Sequence, residues 1–225
     1  MPNWGRFIIG FLLLLSLNVS LGLSQKIPSS FRIARLKYAG GGDWYNDPSA
    51  VPNLMRFIRE KTGVVTPEKE ETVDASSPQI FQYAVLFMTG HGNIKFSESE
   101  LANLRAYLNA GGFIYADDDY GMDKSFRREM KRLLPESPLV EIPYTHPIYN
   151  KFYKFPNGLP KIHEHDGKAP VGMGAFIGNR MVIFYSYESN PSDGWADIDV
   201  HNDSPEKREE AFRIGTNIIL FAISY

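Results

Sequence analysis

The stretch Tyr83-Ala-Val-Leu-Phe-Met-Thr-Gly-His-Gly92 decides the fold. Its first six residues form an unbroken apolar run that stops at glycines. A strand covered by helices on both faces of a parallel sheet needs such a run, because neither side of it meets water. Toward the C-terminus, Ser97-x-x-Glu100 is a capping box, so a helix opens there with Leu101, Leu104 and Leu108 facing inward. Gly111-Gly112 closes that helix, and Phe113-Ile-Tyr-Ala116 is a second short strand running into Asp117-Asp118-Asp119. A further helix is expected from Lys124 to Leu134. Toward the N-terminus, Phe31 to Tyr38 alternates apolar and polar residues before Gly40-Gly41-Gly42. Val51, Leu54, Met55 and Ile58 then mark one face of a helix that starts near Pro48-Ser49 and ends near Gly63. A weakly marked strand falls between Gly63 and Val73. Strand, loop and helix in repetition predict an α/β domain with a mostly parallel sheet.

From Pro135 to Gly172 the chain is rich in Pro, His and Tyr without periodicity, which predicts long loops laid over a site. Gly174–Ile177 and Met181–Tyr185, joined by Gly178-Asn179, predict a late β-hairpin. Ser204-Pro205 opens a C-terminal helix with Ala211, Ile214, Ile218, Ile219 and Ala222 inward. No internal repeat interrupts this order, so residues 25–225 read as a single domain.

Residues 1–24 carry one basic side chain at Arg6, the apolar run Phe7 to Leu17, and small residues at Ser20, Gly22 and Ser24. That is the pattern of a signal peptide, implying an exported, periplasmic or extracellular protein with no membrane span after cleavage. An uncleaved N-terminal anchor is the minority reading, since Ser16, Asn18 and Ser20 break the run short of the ~20 apolar residues a span needs.

The 225 residues include 24 Lys and Arg, 26 Asp and Glu, and no cysteine. A net charge of −2 offers no basic field for a nucleic-acid backbone. Without a thiol there is no disulfide, thiolate zinc site or cysteine nucleophile, so chemistry falls to oxygen and imidazole. The five histidines, His91, His146, His163, His165 and His201, all lie in expected loops.

Ligands of a parallel α/β sheet bind where loops leave the carboxyl ends of its strands. Gly41, Gly42, Asp43 and Trp44 after the first strand, His91 after the third, and Asp117 and Asp118 after the fourth belong to that rim. His146, His163, His165, Asp193 and Trp195 are added from later segments. Trp44 with Tyr45 offers either a stacking platform for a sugar ring or core packing. Three adjacent aspartates stay ionised in a dry pocket only with a cation or solvent; otherwise their pKa values rise. His163-x-His165, with Glu164 and Asp166, is the most metal-like signal, and His91, His146, Asp117 or Asp118 would complete it with mixed nitrogen and oxygen ligands for a divalent metal, of the sort that suits zinc, manganese or iron. Asp117, Asp118, His163 and Glu164 are the catalytic candidates. No Gly-x-Ser-x-Gly elbow supports a serine hydrolase.

The segments Lys37 to Asp47, Thr89 to Gly92, Gly111 to Asp123, His146 to Tyr149, Lys161 to Asp166 and Tyr185 to Ser189 resemble domain-of-unknown-function family 4159. That family is similar in turn to the class I glutamine amidotransferase-like superfamily, including its trehalose-utilisation-like branch. The resemblance implies a flavodoxin-like α/β fold with the site at the turn after the Gly111-Gly112 strand. In amidotransferases that turn holds the nucleophilic cysteine; here it holds Asp117 to Asp119, so glutamine hydrolysis is expected to be lost.

Three functions remain open at this level. The first is an exported domain binding a small polar ligand, carbohydrate-like or derived from the cell envelope. A metal-assisted or carboxylate-based hydrolase is the second. The third is a structural module with a cell-envelope protein partner.

Overall fold

The computed structural model describes residues 1 and 31–224. The expected signal peptide therefore lies outside the described residues, apart from Met1. The strands are β1 (Ile33–Lys37), β2 (Glu71–Asp74), β3 (Val85–Met88), β4 (Phe113–Asp117), β5 (Val140–Glu141), β6 (Val171–Ile177) and β7 (Arg180–Tyr187). The helices are α1 (Ala50–Thr62), α2 (Glu98–Asn109), α3 (Asp123–Leu133), α4 (Pro191–Trp195), α5 (Ile198–His201) and α6 (Pro205–Ala222).

The strands form one sheet in the order β2-β1-β3-β4-β7-β6-β5. The first five of these run parallel, with β1 paired to both β2 and β3, β3 to β4, and β4 to β7. This is the flavodoxin-like winding, whose order reverses between β1 and β3. The hairpin β6–β7 and the short β5 extend the sheet with antiparallel pairs.

Alternation along β3 explains why its apolar run is continuous. Val85 and Phe87 enter one core with Leu54, Ile58, Ile214 and Ile218 of α1 and α6, while Leu86 and Met88 enter the other with Leu101, Leu104, Phe126 and Met130 of α2 and α3. Strand β4 divides the same way: Phe113 and Tyr115 face the first core, Ile114 and Ala116 the second. Each such side chain contributes roughly 1.5–3 kcal/mol on burial, which two cores multiply without any disulfide.

The helix boundaries follow local chemistry. Ser97 accepts from the Glu100 amide at 3.3 Å while Glu100 accepts from the Ser97 amide at 2.7 Å, completing the capping box. Ser204 accepts from the Lys207 amide at the start of α6. Gly63 ends α1 in the left-handed conformation, with φ of 73°.

Two local expectations are corrected. The alternation of apolar and polar residues from Phe31 to Tyr38 does not translate into one exposed face, because Arg35 is buried. As an inner strand β1 is covered on both faces, so its guanidinium must find partners inside the protein. The segment from Ser192 to His201, expected as loop, winds into the short helices α4 and α5. Among the described residues no helix is long and apolar enough to cross a membrane.

Candidate metal centre at the carboxyl rim

The parallel strands deliver their following loops to one edge, and the first two loops are stitched together there. The Gly42 amide donates to Asn93 O at 3.0 Å, Asp43 N to His91 O at 3.3 Å, and Lys95 N to Ala39 O at 2.7 Å. This approach requires glycine. A Cβ on Gly42 would sit 2.7 Å from His91 O, and one on Gly90, whose φ is 132°, would sit 2.4 Å from the Tyr38 hydroxyl.

Beneath the first loop, Arg35 donates to the carbonyls of Trp44, Asn46 and Asp47 at 3.0, 2.7 and 3.2 Å, and its Nε donates to Glu70 at 2.9 Å. The buried cation thereby fixes the backbone that carries Asp47. That residue takes a positive φ, as do Tyr120, Glu188, Asn190 and Asn202, all in segments bordering the rim. Left-handed backbone costs of order 1–3 kcal/mol at such residues and persists where surrounding contacts dictate it.

These loops enclose a cavity of about 370 Å³ lined by His91, Asp119, Tyr120, His163, Glu164, His165, Asn190, Asp193 and His201. His163 Nδ1 lies 2.6 Å from Asp193 Oδ2, and His201 Nε2 lies 3.0 Å from Asp47 Oδ2 and 3.6 Å from Asp193 Oδ1. One ligand atom from each of His163, Asp193 and His201 falls within 4.8 Å of the other two, and the same holds for Asp47, Asp119 and Asp193. Bonds of about 2.0–2.2 Å to one ion place its ligand atoms roughly 3–4 Å apart, so both sets need only small adjustment to close on a cation. Asp193 is 1% exposed, and its Oδ1 is buried without a hydrogen-bond partner among the described residues.

The three aspartates after β4 divide by direction, as extended backbone demands. Asp117 points inward: Ser186 donates to its Oδ1, and the Ser192 amide at the start of α4 donates to its Oδ2 at 2.6 Å. Asp118 lies on the other side, where its Oδ2 is 3.9 Å from His165 Nδ1. Only Asp119 of the three lines the cavity, held by Asn190 at 2.9 Å and by Asn46.

The electrostatics are those of crowded, desolvated acids. Burial pushes Asp117 up to about 7 against the hydrogen bonds from Ser186 and Ser192, and burial likewise pushes Asp118 up to about 7. Asp119 is raised by burial and by Asp47 and Asp43, against the pull of His91 and Asn190. Burial first, and then the charges of Asp119, Asp117 and Asp47, raise Asp193. Among the described residues no Lys or Arg lines the cavity to offset them.

The remaining expected residues scatter. His91 reaches the rim and is held by Asp43, with Nδ1 3.0 Å from Asp43 Oδ2. Burial opposes ionisation of Asp43, yet the bonds from His91 outweigh it and hold its pKa below the usual carboxylate range. Glu164 is exposed at the cavity mouth. Gly41 and Gly42 shape the loop rather than line the cavity. Trp44 packs partly against the second core beneath Lys37, leaving Tyr45 exposed beside it. His146 caps a 3-10 turn and lies tilted against the Phe221 ring at the far end of α6, away from the cavity. Trp195 is fully buried in the first core, its Nε1 donating to Ala211 O at 2.7 Å, so it packs the interior instead of meeting a ligand.

Asp47 was not singled out by the sequence, because Asp before Pro is an ordinary turn residue. Its signal is tertiary: the buried Arg35 that grips its carbonyl is only visible once β1 is known to be an inner strand.

Fold and rim together define a flavodoxin-like α/β domain with a histidine and aspartate cluster at the topological edge where such domains bind ligands. The chain belongs to the family described as domain of unknown function (DUF4159), whose model matches residues 32–223. Among curated proteins no match is found.

Proposed function

We propose that this domain is a divalent-metal-dependent hydrolase acting on a small polar substrate at the carboxyl rim of its sheet, and that residues 1–24 direct its export. The observation that carries the reading is the convergence of His163, Asp193 and His201 on a cavity in which a buried Asp193 oxygen has no hydrogen-bond partner among the described residues. Two imidazoles and a carboxylate with open positions suit zinc, manganese or iron. A bound ion supplies Lewis acidity to a substrate oxygen and to a water.

The chain's own residues supply the rest. Asn190 and Asn46 orient Asp119, Asp43 orients His91, and both oriented side chains face the substrate space. The His165 ring, buried beneath Tyr120 in an edge contact of 5.5 Å between centroids, narrows one wall. Exposed Tyr120 gives a polar ring an apolar surface to rest on.

Similarity to the class I glutamine amidotransferase-like superfamily supports the location of the site. It does not supply the reaction, since the turn after β4 carries Asp117 to Asp119 and the chain has no cysteine.

The test is metal analysis of protein purified without a histidine tag, followed by a panel of nitrophenyl acetate, phosphate and glycoside substrates with zinc or manganese. Near-stoichiometric metal with turnover that chelator abolishes is expected. Protein that neither retains nor takes up metal would overturn the reading. Metal without turnover, accompanied by thermal stabilisation by a sugar or peptidoglycan fragment, would favour a binding protein instead.

A further inference from the structure

The two ligand sets at the rim share one residue. His163, Asp193 and His201 form a nitrogen and oxygen set, and Asp47, Asp119 and Asp193 form an all-oxygen set. A carboxylate has two oxygens, and those of Asp193 face different sides: Oδ2 is 2.6 Å from His163, while Oδ1 is 3.6 Å from His201 Nε2, the atom that also lies 3.0 Å from Asp47 Oδ2 of the second set, and this Oδ1 is buried without a hydrogen-bond partner among the described residues. We infer that the site takes two divalent cations bridged by the Asp193 carboxylate, the second held by Asp47 and Asp119. This inference rests on the metal-dependent reading above and adds a second ion to it.

Charge and ligand chemistry point the same way. Asp47, Asp119 and Asp193 bring three carboxylates to one spot, and among the described residues no Lys or Arg lines the cavity, so a single divalent ion leaves a negative remainder in a buried place. A second ion removes it. The first set, with two imidazoles, suits zinc or manganese, whereas the second offers only hard oxygens and suits manganese or magnesium. Paired ions about 3.5–4 Å apart are the separation over which one carboxylate bridges and two ions act on one substrate.

Manganese serves as the probe for both positions. Untagged full-length protein is stripped of metal, loaded with Mn(II), freed of excess, and examined by elemental analysis and electron paramagnetic resonance. Two ions per chain with an exchange-coupled spectrum are expected. Asp47→Asn should then bind one ion per chain and give an uncoupled six-line spectrum, with circular dichroism unchanged; Asn is chosen because it tolerates the positive φ of position 47. If that variant fails to fold, Asp119→Asn is the equivalent probe.

One ion per chain in the wild type, insensitive to Asp47→Asn, overturns the second ion and leaves the metal-dependent reading standing. Two ions without exchange coupling place the second elsewhere and also overturn the bridge. No bound manganese, together with no zinc, overturns both.

Discussion

The Nδ1 of His163 lies 2.6 Å from the Oδ2 of Asp193, joining a loop from the irregular 135–172 region to the short helix α4 after β7. The two residues are 30 positions apart, and nothing periodic connects them. The contact exists because β7 takes the fifth place in the parallel part of the sheet and delivers Asp193 to the same rim that the long loop covers.

Asp193→Asn therefore tests the centre directly. Removing one ligand common to both sets should weaken zinc or manganese binding at least about 100-fold, beyond the roughly 10–100-fold typical of losing an outer partner. The metal-free variant should be at least as stable as the wild type at pH 8, because the change removes one carboxylate from a crowded group of three. Calorimetric metal titration and thermal unfolding in chelator measure the two halves. A variant that binds metal like the wild type would remove Asp193 from the ligand set.

Arg35→Met should destabilise the protein by about 3–5 kcal/mol, since it leaves Glu70 and the carbonyls of Trp44, Asn46 and Asp47 without their buried cation. Metal affinity should fall as well, because Asp47 loses its backbone anchor. Urea unfolding with a metal titration on the folded fraction checks this. Arg35→Lys should recover only part of both losses, as an ammonium cannot reproduce the planar fork. Full recovery would mean that charge alone matters there.

How much of this was legible beforehand differs between fold and site. The β3 run, the Ser97 and Glu100 capping box and the Gly63 terminus are local signals, and each appears where its chemistry requires. The direction of Asp117, Asp118 and Asp119 was not legible. Alternation says that neighbours diverge, but which one meets the cavity depends on where Ser186 and Ser192 lie, and both come from elements 69 to 75 residues away. Trp195 was misplaced for a related reason. Beside Asp193 and Gly194 it resembles a loop aromatic, but the turn of α4 points it into the core against Phe87 and Tyr115.

Gly90→Ala should lower stability by roughly 1–3 kcal/mol and disturb the rim. The new Cβ would meet the Tyr38 hydroxyl at 2.4 Å in a backbone conformation that L-residues rarely adopt. Tyr38 is held there by donating to Thr89 O at 2.9 Å, so it cannot swing away freely. Pairing the substitution with Tyr38→Phe separates the effects: the double variant should recover the steric part and retain the φ penalty. Thermal unfolding of the four proteins in the cycle gives the coupling, and strict additivity would rule out the contact as the cause.

His146 makes stability fall in acid by a route independent of the metal centre. Burial lowers its pKa, and its Nδ1 accepts the Ile148 amide at 3.2 Å, a bond that only the unprotonated nitrogen can make. The folded state thus binds the proton less readily than the unfolded chain, whose His titrates near 6.5. The unfolded state holds more protons in the window below that value, so stability rises with pH there and is lost as pH falls through it. The contribution is fully present above about pH 7. His146→Asn keeps a side-chain acceptor for the Ile148 amide and removes the titration, so its stability should decline less steeply between pH 7 and 5 than that of the wild type. Denaturant unfolding of metal-free samples at half-unit pH steps resolves the difference in slope. Parallel profiles for the two proteins would show that His146 titrates alike in both states and that its burial has no energetic consequence.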